Sequence, residues 1–203
     1  MNLKKLIPEL VSGLNDAGFD NNSKEIQSTS IPQIKSGADL FIVSPEGSGK
    51  STAIVIGVIQ QLKELFEEAP RAIIMAATKE KAFELEAQFK ILGKHTNLRT
   101  FTVFDKGIIQ YQKDIIYEGL DVLIGTPKRL KELVKINGIC LAKIRMFVVD
   151  DAESYALDKY DMIYQLADSI NKSQFIMVAN SWNKNFAKLS GRIMKNPKII
   201  KSK

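Results

Sequence analysis

The chain has 203 residues, 45% of them apolar, which is enough to bury one ordinary core and too few for a second domain of similar size. Its formal net charge of +6 favours anionic partners, including nucleic acid, although a soluble protein that is merely basic fits the charge equally well. The sequence holds no run of about 18 apolar residues and no long apolar stretch near its start, so we expect no membrane span, no secretory leader and a cytoplasmic location.

Strand-like and helix-like segments alternate along the chain. Short apolar runs predict strands at residues 40–43, 72–76, 100–104, 121–124, 146–149 and 174–178. Between them, helical patterns cover residues 50–66, 79–92, 108–118, 127–136, 158–170 and 183–195. This alternation predicts an α/β fold with a mostly parallel central sheet and helices on both faces, in one domain over residues 1–203.

The loop after the first predicted strand is the most informative segment. Residues 44–52 read Ser-Pro-Glu-Gly-Ser-Gly-Lys-Ser-Thr between a buried strand and a helix, the setting that a phosphate-binding loop requires. Glycines let the backbone N–H groups turn inward, and the helix N-terminus adds partial positive charge. We expect Lys50 to reach the β- and γ-phosphates and Ser51 to ligate Mg²⁺. The predicted nucleotide contacts in this loop are Ser44, Gly47, Ser48, Gly49, Lys50, Ser51 and Thr52.

The predicted strand at 146–149 ends in acid, Asp150-Asp151-Ala152-Glu153. A P-loop NTPase needs a carboxylate at such a strand end to hold Mg²⁺ opposite the loop hydroxyl, and Asp150 is the candidate. A second carboxylate can orient or deprotonate the attacking water, and Asp151 is the candidate for that role. The alternative is a strand followed by a solvated acidic turn.

Two further strand ends place basic residues beside a helix start. Thr126 precedes Pro127, which is tolerated at the first helical position, and Lys128 and Arg129 follow. Residues 77–80, Ala-Thr-Lys-Glu, have a similar arrangement. Free N–H groups and cations at a helix start suit the phosphates of a nucleic-acid backbone. Simple helix capping with solvated charges explains either segment equally well when it is taken singly.

Together these segments resemble the first of the two motor domains of a DEAD-box RNA helicase, a RecA-like fold, over almost the entire chain. Residues 44–52 resemble the family's Ala-x-Thr-Gly-Ser-Gly-Lys-Thr loop, and residues 150–153 take the place of Asp-Glu-Ala-Asp. Residues 77–82 resemble Pro-Thr-Arg-Glu-Leu-Ala, and residues 126–129 resemble Thr-Pro-Gly-Arg. Residues 179–181, Ala-Asn-Ser, take the place of Ser-Ala-Thr, and residues 196–200 resemble the exit from the domain. Gly18-Phe19 followed by Ile26-Gln27 resembles the adenine-reading Q motif.

The resemblance implies an ATP- and RNA-binding motor domain that uses ATP and Mg²⁺ and couples ATP hydrolysis to RNA duplex remodelling. It implies that Gln27 reads the adenine and that Ser181 helps to couple the nucleotide state to RNA. It also implies a partner that supplies a second RecA-like domain. The RNA contacts that it implies are Thr78, Lys79, Thr126, Lys128 and Arg129.

Several positions depart from the family pattern. Gln27 lacks the Pro-Thr pair that normally precedes it, and Glu46 adds negative charge beside the phosphates. Asp151 is one methylene shorter than the family's glutamate, and only Ser181 keeps a hydroxyl in its segment. A misplaced carboxylate on this scale can cost about 10²-fold in rate, and the arginine fingers of a second domain supply about 10³–10⁵ more. We therefore expect the isolated domain to turn ATP over slowly.

Two other functions remain open at this point. The chain can be a degenerate, non-hydrolysing relative that binds nucleotide or RNA as a scaffold. It can also be an unrelated P-loop kinase for a small substrate, although such kinases usually begin near the P-loop and some 40 residues precede it here.

Cys140 and His95 are each the only residue of their type. They exclude an internal disulfide and leave no His-rich metal site. We expect Cys140, flanked by Ile139 and Leu141, to be a buried thiol and His95 to lie in a surface loop.

Overall fold

The structure, a computed structural model, describes residues 5–19, 23–66, 68–155, 160–170 and 172–202. In these residues seven strands form one sheet in the order β3-β4-β2-β5-β6-β1-β7, and every neighbouring pair is parallel. The strands are β1 (Leu40–Val43), β2 (Ala72–Met75), β3 (Thr100–Val103), β4 (Val122–Gly125), β5 (Met146–Val149), β6 (Gln174–Ala179) and β7 (Lys198–Lys201). The predicted parallel α/β fold is confirmed.

Eight α-helices in the described residues cover both faces of the sheet. They are α1 (Pro8–Asp16), α2 (Glu25–Lys35), α3 (Lys50–Leu62), α4 (Lys79–Leu92), α5 (Ile109–Glu118), α6 (Pro127–Lys135), α7 (Tyr160–Asp168) and α8 (Lys184–Ile193). Side chains alternate along each strand: in β1, Leu40 and Ile42 pack under α1–α4, and Phe41 and Val43 pack under α5–α8. Strands buried on both faces read as continuous apolar runs, which is why the sequence revealed them.

Three elements, α1, α2 and β7, were not predicted from the sequence. Helix α2 contains Pro32 in its interior, which weakens the helical pattern. The edge strand β7 reads Lys-Ile-Ile-Lys and is largely exposed, so it lacks the long apolar run of a buried strand. Helix α3 ends at Leu62, four residues earlier than predicted, because Lys63 adopts a left-handed φ of 66°. The predicted start of the helix at 158–170 falls partly on residues outside the described ranges.

The structure tests the exposure predicted for Cys140 and His95, and it differs from the prediction at one of them. Cys140 is exposed, so the prediction of a buried thiol was wrong. Ile139 takes the core position, and the next residue of the extended backbone turns outward. His95 lies at the surface as predicted, beside Asp16 at 2.8 Å. Across the described ranges, no helix has both the length and the apolar character that a bilayer crossing demands.

Candidate nucleotide and RNA site

The topology brings the P-loop and the acidic strand end close together. Strand β6 pairs with β1 on one side and with β5 on the other. The loop after β1, the residues after β6 and the acids after β5 therefore adjoin at the carboxyl edge of the sheet, where open parallel sheets bind ligands. A pocket of about 400 Å³ opens there. It is lined by Lys24, Glu46, Gly47, Gly49, Lys50, Ser51, Thr52, Lys81, Asp151 and Asn180.

The P-loop takes the backbone shape that its glycines permit. Gly47 and Gly49 have φ values of 74° and 92°, in the left-handed region that glycine tolerates. A Cβ on Gly49 would lie 2.7 Å from Nε2 of Gln27, so a side chain there would also clash with α2. Helix α3 begins at Lys50 immediately after this turn, and its first N–H groups are free to bind an anion.

Lys50 is almost fully buried and donates three hydrogen bonds. Its Nζ donates to the carbonyl oxygens of Ser44 and Pro45 at 2.6 and 2.7 Å, and to Oδ1 of Asn180 at 2.7 Å. Burial lowers the pKa of Lys50, and the nearby carboxylates, Asp151 first among them, oppose that shift. The ammonium group is thus held at the pocket by acceptors that a phosphate can replace.

The acidic strand end presents two carboxylates in different settings. Asp150 is buried, and its Oδ2 accepts a hydrogen bond from Oγ of Ser51 at 3.3 Å. Its Oδ1 is buried and has no partner among the described residues. Burial, together with the charge of Asp151, raises the pKa of Asp150 to about 6. Asp151 lines the pocket from a left-handed backbone position, φ 50°.

This arrangement fits a Mg²⁺ ion. The cation prefers oxygen ligands and usually binds through one or two carboxylates, a hydroxyl, waters and substrate phosphates. Ser51 Oγ and the unpartnered Oδ1 of Asp150 provide a hydroxyl and a carboxylate oxygen beside the phosphate loop. A buried carboxylate with one orphaned oxygen is costly unless a cation or donor satisfies it.

The other predicted nucleotide contacts lie around the same loop with different partners. The hydroxyl of Ser44 lies 2.5 Å from that of Ser202, so it faces β7, while its carbonyl faces Lys50. Thr52 lines the pocket and donates to Gln88 at 3.2 Å. The Ser48 hydroxyl is buried without a described partner. Gln27 is buried, and its Oε1 accepts from the Lys24 backbone N–H at 3.1 Å.

A second pocket of about 600 Å³ lies along the same edge and contains four of the five predicted RNA contacts. Thr78 and Lys79 enter it at the start of α4, and Thr126 and Lys128 enter it at the start of α6. Lys79 Nζ lies 4.3 Å from the centre of the Phe104 ring, a cation–π distance.

Arg129, the fifth predicted RNA contact, does not line this second pocket, because its side chain is buried. It is 4% exposed and donates to the carbonyl oxygens of Asp105 and Gly107 at 2.5 and 3.0 Å and to Oε1 of Gln112 at 3.1 Å. The guanidinium therefore shapes the loop before α5. The hydroxyl of Thr126 donates to Oδ1 of Asp105 in that loop at 2.6 Å. Thr126 therefore occupies the N-cap position of α6 without a capping hydrogen bond from its side chain.

Three residues of the nucleotide pocket were not assigned from the sequence: Lys24, Lys81 and Asn180. Lys24 Nζ donates to the Gly47 carbonyl at 2.5 Å from the start of α2, an element that the sequence analysis missed. The sequence contained one indication of Asn180, because this amide stands where the resembled family has alanine. Ser181 beside it is exposed and lies outside the lining of the nucleotide pocket.

A parallel sheet with a phosphate loop after β1 and paired acids after β5 defines a P-loop NTPase of RecA-like fold. The family described as DEAD/DEAH box helicase matches residues 24–189, and the chain belongs to this family.

Individual relatives agree with that family. The chain is 31% identical over 154 residues to the ATP-dependent RNA helicase RhlB of Shewanella frigidimarina, covering 73% of this chain and 35% of that protein. It is 29% identical over 202 residues to the ATP-dependent RNA helicase FAL1 of Saccharomyces cerevisiae, covering 97% of this chain and 49% of that protein. The chain thus spans between about a third and a half of these relatives.

A solved structure shares the fold. The crystal structure of a DEAD box protein from Methanococcus jannaschii superposes with a TM-score of 0.90 at 20% identity. The match covers all of this chain and 55% of that one.

Proposed function

We propose that residues 1–203 are an ATP- and RNA-binding motor domain that hydrolyses ATP to remodel RNA duplexes together with a second RecA-like domain. The observation that carries the proposal is that Lys50, Ser51 and Asp151 line one pocket although they follow two strands separated by β6. Asp150 adjoins this pocket through its hydrogen bond with Ser51. Membership of the helicase family supports the same function. A small-substrate kinase has no comparable support. A cytoplasmic location belongs to this proposal and rests on the sequence alone.

The residues of the pocket divide the chemistry between them. Lys50 and the N–H groups at the start of α3 bind the phosphates. Ser51 and Asp150 would hold Mg²⁺, which when bound neutralises phosphate charge. Asp151 positions the attacking water, and Gln27 recognises the adenine through the donor and acceptor of its amide.

The nucleotide proposal is tested by titrating a fluorescent ATP or ADP, with Mg²⁺, into the wild type and Lys50→Ala. We expect Lys50→Ala to lose binding by at least 100-fold, because it removes a charged donor from the phosphates. GTP should bind about tenfold more weakly than ATP, and Gln27→Ala should remove that preference, since it removes the amide that distinguishes the bases. Equal affinity of wild type and Lys50→Ala would contradict the proposal.

The second pocket is proposed to hold the RNA backbone. Thr78, Lys79, Thr126 and Lys128 line it with helix-start N–H groups and two exposed ammonium groups, a surface suited to phosphates. In this proposal Arg129 acts through the loop at 105–107 that it holds. Ser181 is proposed to couple the two pockets.

A non-hydrolysing scaffold is the second candidate. The shortened side chain of Asp151 favours it, because the carboxylate that orients water starts one methylene further away. This candidate shares the binding predictions and differs only in turnover, which the variant Asp151→Glu examines below.

A further inference from the structure

Asn180 lines the nucleotide pocket from the strand that lies between the P-loop and the acidic strand end. It is the first residue after β6, the strand that separates the P-loop strand β1 from the acidic strand β5. Its side chain lines the pocket together with Lys50, Ser51 and Asp151. An amide at this point therefore faces the space between the phosphate loop and the carboxylates, beside the N-terminus of α3, where the terminal phosphate of a bound nucleotide would lie.

The hydrogen bonds around Asn180 fix which way its amide points. Lys50 can only donate, so the atom 2.7 Å from its Nζ must be the amide oxygen Oδ1. The amide nitrogen of Asn180 consequently points away from Lys50, and it donates to no residue in the described ranges. The backbone N–H of Asn180 donates to Oε1 of Glu153 at 2.8 Å, which anchors the residue from below.

Phosphates compete with Asn180 for Lys50. In the structure the ammonium group is held by Asn180 and by two loop carbonyls. An ammonium–phosphate contact is a charge-assisted bond, stronger than a bond to a neutral amide oxygen. When Lys50 turns to the phosphates, the Asn180 side chain is released, and its NH₂ group, which donates to no described residue, can turn to a phosphate.

We propose that Asn180 is a specificity-determining residue that donates its amide N–H to the terminal phosphate of a nucleoside triphosphate and so distinguishes triphosphate from diphosphate. The inference rests on the proposed nucleotide binding. A diphosphate has no oxygen at that position and leaves the amide unpaired, and a site built around a donor discriminates against a ligand that lacks the acceptor. Glu153 holds the backbone of Asn180 in place by accepting its N–H.

The competing explanation is that Asn180 only clamps Lys50. Loss of a clamp would change the affinity for ATP and for ADP by the same factor, because both nucleotides must displace it. Loss of a terminal-phosphate donor would weaken only the triphosphate. The ratio of the two dissociation constants therefore separates the two roles, and partial misfolding of a variant cancels from that ratio.

The experiment measures Kd for ADP and for a slowly hydrolysed ATP analogue, with Mg²⁺, in the wild type, Asn180→Ala and Asn180→Leu. Asn180→Leu keeps a similar side-chain volume, removes the donor and adds no charge, so the test does not depend on the alanine variant. Asn97→Ala, which removes an exposed amide outside the pocket, is the control.

We expect both Asn180 variants to lower the preference for the ATP analogue over ADP by about 10- to 100-fold, the range of a hydrogen bond to a charged group. Asn97→Ala should leave the preference unchanged. An unchanged ratio in both Asn180 variants, with both nucleotides still bound, would overturn the role of Asn180 and leave the proposed function standing. Failure of the wild type to bind either nucleotide would instead overturn both.

Discussion

At the scale of single residues, the backbone conformation at Asp151 determines where its carboxylate lies. The residue has φ 50° directly after the buried Asp150, and it caps the short 3₁₀ turn at residues 152–154. Aspartate is one of the few residues that occupy this left-handed region readily. The turn places the carboxylate of Asp151 in the nucleotide pocket. Of the nearby carboxylates, Asp151 has the largest effect on the pKa of Lys50, which it raises against the effect of burial.

The variant Asp151→Glu tests whether the pocket is a working catalyst. A longer arm moves the carboxylate towards the water that it must orient, and a displacement of about 1 Å can change the rate by up to about 10²-fold. We expect phosphate release to rise at least tenfold in Asp151→Glu, measured at steady state with RNA and with the second RecA-like domain of a relative supplied in trans.

Asp151→Ala is the control for that experiment, since it should bind nucleotide and release no phosphate above background. Flat rates for every variant in every combination would instead support the non-hydrolysing scaffold. Rapid RNA-stimulated turnover by the lone wild-type chain would contradict the expected slow turnover.

At the scale of elements, one carboxylate joins the starts of three neighbouring strands. Asp121 precedes β4, Arg71 precedes β2 and Arg99 precedes β3. Arg71 Nη2 lies 2.7 Å from Oδ1 of Asp121, and the backbone N and Nε of Arg99 each donate to Oδ2 at 3.0 Å. Burial alone would raise the pKa of Asp121, but the hydrogen bonds from Arg99 and Arg71 outweigh it and lower that pKa.

We predict that Asp121→Asn destabilises the fold by about 3 kcal/mol at pH 7, because it leaves the buried guanidinium of Arg71 without a counter-charge. Urea denaturation measures the change. Since the folded pKa of Asp121 lies below its ordinary value, the charge contributes fully above about pH 4 and is lost as the pH falls through the folded pKa. The difference in free energy of unfolding between wild type and Asp121→Asn should therefore be constant from about pH 7 to pH 5 and become smaller below about pH 4.

Asp16→Asn is the matched control, because it neutralises an exposed aspartate that pairs with Lys94 and His95 at the surface. It should change stability little. If Asp121→Asn were as stable as the wild type at pH 7, the carboxylate would not be joining the three strands as described.

At the scale of the whole molecule, helix α4 connects the two proposed pockets. Lys79 at its first position lines the RNA pocket, and Lys81 two residues later lines the nucleotide pocket. Successive residues of a helix point in different directions, so one helix start can contact both ligands. Any movement of α4 on nucleotide binding would therefore also move Lys79 in the proposed RNA pocket.

The double variant Lys79→Ala/Lys128→Ala tests the RNA pocket. Each lysine that neutralises a single-strand phosphate contributes about 0.7 to the slope of log K against log salt. We expect weaker binding of single-stranded RNA at low salt and a slope smaller by about 1.4. Fluorescence anisotropy across a salt series measures both quantities.

The double variant Lys188→Ala/Lys195→Ala removes the same charge from exposed lysines outside the pocket and is the control. It should leave the slope nearly unchanged. An equal loss of affinity in both double variants would indicate that RNA binding follows net charge and does not use this pocket.

The sequence by itself determined six of the seven strands and the edge of the sheet at which the pocket lies. Strands buried on both faces must be apolar throughout, and a phosphate loop needs glycines and a helix start in consecutive residues, so both features are local in the chain. The alternation of such segments then predicts parallel pairing, and with it the single edge on which residues 44–52 and 150–153 meet.

Only the tertiary structure decided what each side chain contacts. Arg129 was expected on the RNA surface because it is a cation at a helix start, yet Gln112 and two loop carbonyls accept hydrogen bonds from its guanidinium inside the protein. Lys50 and Asn180 are 130 residues apart and meet because β6 lies beside β1. Hydrogen-bond partners depend on strand order and on packing between distant segments, and no local pattern of apolar and polar residues specifies them.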